Sequence, residues 1–178
     1  MQEIQHLGIL DSRLRGNDEN THSMKNDVLL AFGSNLGDRR RTLKSAWSEL
    51  ETMPDIEAVV ISRFYETKPV GGPPKQSDYL NAAGLIRTDL PPMELLKRLQ
   101  EIERRYGRVR TERWGSRTLD IDLLLYGSAV IETPELTVPH PEMLRRCFVL
   151  EPASEIAAEI VHPTAGITIV EALEKLNE

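Results

Sequence analysis

A chain of 178 residues with 40% hydrophobic content predicts one domain with a core of useful size. A formal net charge of −6 and a pI near 5.3 oppose general nucleic-acid binding, which leaves a basic footprint. The single cysteine, Cys147, excludes an intrachain disulfide. No apolar run has membrane-spanning length and no signal-peptide core opens the chain, so the expectation is a cytoplasmic protein without membrane or nucleic-acid partners.

Residues 1–24 are polar and unpatterned and predict a disordered extension ahead of a domain over 25–178, with Met24 as the expected natural start. Asp27 to Phe32 reads as a short apolar strand. Gly33-Ser34-Asn35-Leu36-Gly37-Asp38 makes a turn, and a helix is expected from about Asp38, with Leu36, Leu43, Trp47 and Leu50 in its stripe. No P-loop is present, because Lys44-Ser45 lies inside the helix without the required glycines. Ile56 to Tyr65 is β-rich. Glu66 to Pro74 is broken by prolines and glycines and reads as a long loop, either a connector or a functional element. The next strand runs from Tyr79 to about Thr88, with Tyr79 and Asn81 on one face. An Asn amide presents donor and acceptor together, and a Tyr ring can stack on a flat partner. A helix starts at Pro91 and Pro92, buries Leu95, Leu96, Leu99, Ile102 and Tyr106, and ends at Gly107; Gln100 and Glu103 lie one turn apart beside that stripe.

Two chemistries then sit side by side. Arg104, Arg105, Arg108, Arg110, Arg113 and Arg117 form an arginine-rich segment broken by Gly107, Trp114 and Gly115. Arginine suits bidentate phosphate recognition. A strand follows, in which alternation places Leu119, Ile121, Leu123 and Leu125 on one face and Asp120 and Asp122 on the other, roughly 7 Å apart. Two carboxylates on one face suit a hard cation such as Mg²⁺ beside substrate phosphates. Taken alone, the pair fits solvated aspartates on a half-exposed strand equally well. With the arginines it points to metal-assisted polyphosphate chemistry. A turn at Gly127-Ser128 is expected to open a hairpin through Ala129–Glu132 and Leu136–Val138. Pro139-His140-Pro141, then Arg145-Arg146-Cys147-Phe148, and a closing helix over Val170–Leu176 complete the chain.

The ordered run Gly-Arg-Val-Arg … Arg-Trp-Gly-Ser-Arg-Thr-Leu-Asp-Ile-Asp over 107–122, with Gly-Ser-Asn-Leu-Gly at 33–37 and Thr-Val-Pro-His at 137–140, resembles the 6-hydroxymethyl-7,8-dihydropterin pyrophosphokinase family of folate biosynthesis. The resemblance covers about residues 25–178. It implies an α+β, ferredoxin-like β-α-β-β-α-β sandwich with a mostly antiparallel sheet, an added hairpin and C-terminal helices. It implies Mg-dependent transfer of pyrophosphate from ATP to the pterin hydroxymethyl group, with two Mg²⁺ ions on Asp120 and Asp122 and ATP as co-substrate. Arg108 and Arg117 would neutralise developing charge beside those aspartates. Gln100, Glu103, Arg110, Trp114, Arg117, Thr137, His140 and Arg146 would bind ATP. Thr67, Val70, Tyr79, Asn81, Trp114 and Phe148 would bind the reduced pterin. A monomer is expected. The chain departs from the family pattern at Ser116 (usually Pro), at Pro141 (an aromatic can occur), at Glu135 (basic in some members) and at Cys147 (a small Gly or Ala). A ferredoxin-like RNA-binding module is the rival reading, opposed by the acidic balance and by the lack of paired stacking aromatics.

Overall fold

A computed structural model describes residues 25–71, 73, 76–107 and 116–178. Arg108, Arg110, Arg113, Trp114 and the 1–24 extension lie outside the described residues. The elements are β1 (Asn26–Ser34), α1 (Arg39–Glu51), β2 (Ile56–Ile61), β3 (Tyr65–Thr67), β4 (Tyr79–Thr88), α2 (Pro92–Arg105), β5 (Asp120–Tyr126), β6 (Ile131–Glu132), β7 (Thr137–Val138), α3 (Cys147–Ala157) and α4 (Ile169–Asn177), with a 3₁₀ turn at Met143–Arg145. The main sheet has the order β2-β4-β1-β5, with β3 also on β4. Every described pairing is antiparallel. This order is the ferredoxin-like arrangement that the family resemblance implies.

The two faces of the sheet are treated differently. On one face Val28, Leu30, Phe32, Ile121 and Leu123 meet Leu43, Trp47 and Leu50 of α1 and Leu95, Leu99 and Ile102 of α2. Complete burial of one such side chain contributes about 1.5–3 kcal/mol. Phe32 and Trp47 meet edge to face at 6.1 Å. Gly84 is needed beside them, since a Cβ there would lie 2.6 Å from the Trp47 ring. On the other face α3 and α4 cover only part of the sheet, packing Val149, Leu150, Ala153 and Ile169 on Leu29, Ala83, Leu124 and Leu125. The uncovered part becomes the floor of a cleft.

The helix ends follow the local chemistry. Asp38 caps α1 through the Arg41 N–H. Gly107, at φ +77°, ends α2 by donating to the Arg104 carbonyl. Thr168 and Glu171 form a capping box on α4.

Four expectations need correction. Leu36 precedes α1 and is 42% exposed, so it is not part of the buried stripe. The β-rich run through Tyr65 is broken: the Ser62 hydroxyl replaces a backbone carbonyl as acceptor for the Ala83 N–H at 2.9 Å, and pairing with β4 resumes at β3, which takes Glu66 and Thr67 out of the expected loop and into the sheet. Leu125 does not share the face of Ile121 and Leu123. A bulge at Leu124 sets Leu30 opposite Leu123 but Leu29 opposite Leu125, which moves Leu125 to the α3 side. The turn at Gly127-Ser128 does not pair Ala129–Glu132 with β5; the added hairpin is β6 with β7, closed through Thr133 and Leu136.

Candidate active site

Strand register builds the site. Gly33 of β1 lies between Asp120 of β5 and Asn81 of β4, and Asn81 in turn pairs with Tyr65 of β3. One row further along the strands, Ala31 lies between Asp122 and Ala83. A row of side chains one sheet-spacing apart therefore sets Asp120 and Asn81 roughly 10 Å from each other, across a glycine that adds no bulk. Glycine and alanine at the centre leave the floor open. The cleft above it measures about 620 Å³.

The cleft brings together Thr67, Val70, Tyr79, Asn81, Arg117, Asp120, Asp122, His140, Arg146 and Phe148. Thus ten residues singled out from sequence line one cavity, contributed by β3, the loop after it, β4, the segment leading into β5, β5, the segment between β7 and α3, and the first turn of α3. Gln100, Glu103 and Thr137 do not line it. Thr137 is exposed on β7. Glu103 is 2% exposed, and its carboxylate accepts the Ile121 N–H at 2.8 Å. That N–H points off the outer edge of β5, where no described strand follows. Glu103 therefore fixes the strand between its two aspartates from behind. The cleft also takes in Gly33, the first residue of the signature turn to which the resemblance gives a structural and pterin-side role. Ala31, Lys68, Gln76, Glu142 and Arg145 line it too and were not singled out; Ala31 looks like an ordinary strand residue, and the others like loop or surface residues.

The electrostatics suit an anionic ligand with hard cations. Arg117 is ion-paired with Asp120. Burial pulls the Arg117 pKa down, but Asp120, Asp122 and Tyr79 together raise it above its ordinary value. Burial pushes the Asp122 carboxyl up and Asp120 adds to the rise, against the downward pull of His140, Arg146 and Arg117. Among the described residues no group of three or more His, Cys, Asp or Glu could hold a metal ion. Two poorly hydrated carboxylates on one strand face suit a hard cation that completes its shell from substrate phosphates and water, as Mg²⁺ does.

His140 accepts the Glu142 N–H on Nδ1 at 3.2 Å, which leaves the proton of the neutral ring on Nε2. Burial, the largest influence, lowers the His140 pKa, so the ring is neutral at neutral pH. The Arg146 guanidinium lies 5.8 Å from the centroid of the Phe148 ring. On the opposite flank, one Asn81 N–H is held by Thr67 Oγ1 at 2.8 Å. Burial raises the Tyr79 hydroxyl pKa, keeping it protonated.

Asn35, 2% exposed in the turn after β1, ties the flanks together. Its side-chain oxygen accepts the Arg117 N–H at 2.7 Å. Its amide group donates to the Ser77 carbonyl and Ser116 Oγ, both at 3.3 Å, and to Gln76 Oε1 at 3.4 Å.

Residues 29–158 match the family model described as 7,8-dihydro-6-hydroxymethylpterin-pyrophosphokinase (HPPK). The 2-amino-4-hydroxy-6-hydroxymethyldihydropteridine pyrophosphokinase of Haemophilus influenzae is 45% identical over 138 residues, covering 78% of this chain and 86% of the relative. The protein of the same name from Bacillus subtilis is 44% identical over 137 residues, covering 77% and 81%. Among solved structures, a Plasmodium falciparum HPPK-DHPS wild type with pteroate superposes with a TM-score of 0.65 at 15% identity, over 85% of this chain and 42% of that one. An HPPK-DHPS in complex with substrates gives 0.64 at 14% identity, over 85% and 43%. The chain thus spans less than half of those longer proteins, and the likeness to them is one of fold. On the family model and the sequence relatives together, the chain belongs to the 7,8-dihydro-6-hydroxymethylpterin-pyrophosphokinase family.

Proposed function

We propose that the protein transfers a pyrophosphoryl group from ATP to the hydroxymethyl group of 6-hydroxymethyl-7,8-dihydropterin, releasing AMP, as a step of folate biosynthesis. The observation that carries this reading is the row Asp120–Gly33–Asn81: a phosphate-side carboxylate and a pterin-side amide on one flat floor, about two strand spacings apart. In the reaction the pterin hydroxymethyl oxygen forms a bond to the β-phosphorus of ATP. The bond from that phosphorus to the oxygen bridging to the α-phosphate breaks, AMP departs with the bridging oxygen, and the hydroxyl proton is released.

The protein's own part is to bind, orient and neutralise. Asn81 pairs with the amide edge of the pterin, using its oxygen and the N–H that Thr67 does not hold. Tyr79 and Phe148 provide flat faces for the ring, and Thr67 and Val70 close the same flank. Arg117, already beside Asp120, meets charge as it develops on the transferring group. His140 donates from Nε2 and Arg146 adds a guanidinium to the phosphates. Arg108 shares the charge-neutralising role, Arg110 and Trp114 bind ATP with Gln100 and Thr137, and Trp114 also meets the pterin. Glu103 serves the nucleotide side through the strand that it holds. Asp120 and Asp122 would hold two Mg²⁺ ions, which when bound would neutralise charge on the polyphosphate.

The working unit is the domain over residues 25–178, acting as a cytoplasmic monomer, with residues 1–23 dispensable. No described helix is long and apolar enough to cross a membrane. The test is to mix the protein with ATP, Mg²⁺ and the pterin and to identify the nucleotide product. AMP that requires both pterin and Mg²⁺ supports the reading. ADP overturns the reaction class, and bound ATP without any product leaves a binding protein.

A further inference from the structure

The loop between β3 and β4 forms one flank of the cleft, through Thr67, Lys68, Pro69, Val70 and Gln76. Its two ends are clamped from outside the cleft by a single side chain. Arg39, the first residue of α1, reaches Glu66 Oε1 at 2.7 Å with Nη2 and donates to the Asp78 carbonyl at 2.6 Å with Nη1. Glu66 is the residue before Thr67, and Asp78 the residue before Tyr79. In the β3–β4 register Thr67 faces Tyr79, and Glu66 faces Leu80. One guanidinium thus spans the point where the chain leaves the sheet and the point where it returns.

We propose that Arg39 is a positioning residue that clasps the loop ends and thereby holds Thr67, Tyr79 and Asn81 in the arrangement that receives the pterin. Arg39 does not line the cleft, so it acts through those residues and not on substrate. An isolated exposed ion pair contributes little. Here the planar fork is fixed at both ends, its side chain is 29% exposed, and it crosslinks two segments that are also joined by the short β3–β4 pairing. Thr67 in turn holds the Asn81 amide at 2.8 Å, so slack at the loop ends passes directly to the pterin-recognising group. Ordering that flank before binding removes a cost that pterin binding would otherwise bear. A lysine carries one ammonium and no planar fork, so it replaces the clasp only in part.

The test uses the full chain and the variants Arg39→Ala, Arg39→Lys and Glu66→Gln, the last removing one end of the clasp while keeping Arg39. Without substrates, hydrogen exchange at Thr67, Lys68, Val70 and Gln76 to Asp78 should accelerate about three- to tenfold in Arg39→Ala. Exchange at Leu29 and Leu30 should not change. In turnover, the pterin KM should rise by a similar factor while kcat and the ATP KM stay within about twofold, and Arg39→Lys should recover part of the loss. The kinetic arm rests on the pyrophosphoryl-transfer reading; the exchange arm does not. If the wild-type chain forms no AMP, that reading falls and exchange alone decides the clasp. Unchanged exchange in Arg39→Ala and Glu66→Gln overturns the proposal, as does an equal rise in both KM values.

Discussion

Replacing Asp122 by Asn should make the protein more stable and less active at once. In the substrate-free protein the Asp122 carboxyl is held above its ordinary range, first by burial and second by Asp120. A carboxyl whose folded-state pKa exceeds its unfolded value opposes folding at any pH above the unfolded value, by about 1.4 kcal/mol for each unit of difference. The penalty is complete once the pH passes the folded pKa and vanishes below about pH 4, where both states are protonated. Asp122→Asn keeps the shape and removes the charge. With a chelator present at neutral pH, its Tm should rise by about 2–4 °C for each kcal/mol relieved, and the gain should fade as the pH falls towards 4. Pyrophosphoryl transfer should drop by on the order of a hundredfold or more, as for the loss of one preorganised charge-stabilising group. Thermal melts with and without Mg-ATP complete the assay: the wild type should gain stability from the ligand, and the variant clearly less. A lower Tm for the variant in chelator would make Asp122 a structural partner, and near-normal turnover would remove it from the reaction.

Other perturbations probe the surrounding frame. Glu103→Ala strands the Ile121 N–H and should cost about 2–4 kcal/mol, seen as a Tm drop of about 4–16 °C, while Glu103→Gln keeps an acceptor and should lose less than half of that; equal melts for wild type and Ala would refute the grip on β5. Gly33→Val should fold, since a Cβ there meets Asn81 Oδ1 at 3.5 Å and nothing closer, but its branched methyls should fill the floor and weaken pterin binding at least about tenfold; normal pterin binding by titration would displace the pterin from this floor. Because burial lowers the His140 pKa, the protein should lose stability from this residue only as pH falls below the ordinary histidine value near 6.5, where the unfolded chain takes up the proton first. Nitrogen NMR should find the Nε2–H tautomer at pH 7, and a doubly protonated ring there would contradict the hydrogen bond from Glu142.

The sequence was most informative where chemistry and period coincide. Asp120 and Asp122 at spacing two, and Tyr79 and Asn81 at a strand start, line the cleft; alternation put each pair on one face, and the family resemblance gave the pair its role. The stripe Leu95, Leu99 and Ile102 of α2 is buried as its period requires. Contacts that depend on tertiary register were not legible. Nothing local marks Asn35 as the partner of Ser77, Ser116 and Arg117, or Arg39 as anything but one of three consecutive arginines on a helix. Glu103 carried a signal that was read differently: it lies four residues after Leu99 and one after Ile102, on the buried side of its helix, and an acidic residue there must find a donor inside the protein. The donor is the edge of β5.

The bulge at Leu124 shows why strict alternation fails where it does. Alternation alone would set Leu125 with Ile121 and Leu123, against α1 and α2. The extra residue moves Leu125 beside Leu124, and both pack against α3 and α4, while Tyr126 returns to the opposite face. There its hydroxyl donates to the Leu90 carbonyl at 2.6 Å and accepts from Asn26 at 3.3 Å. One face of β5 thus reads Asp, Asp, Leu, Leu: two charged positions in the cleft, then two apolar positions under the C-terminal helices. The neighbouring strands change at the same level. On β1, Gly33 and Ala31 lie in the cleft and Leu29 is covered; on β4, Tyr79 and Asn81 lie in the cleft and Ala83 is covered. The cleft wall is therefore a line across three strands where polar or small residues give way to apolar ones. α3 lies along the apolar side of that line, which is why Phe148 in its first turn and Arg146 at its N-cap, and not residues of its middle, reach the site.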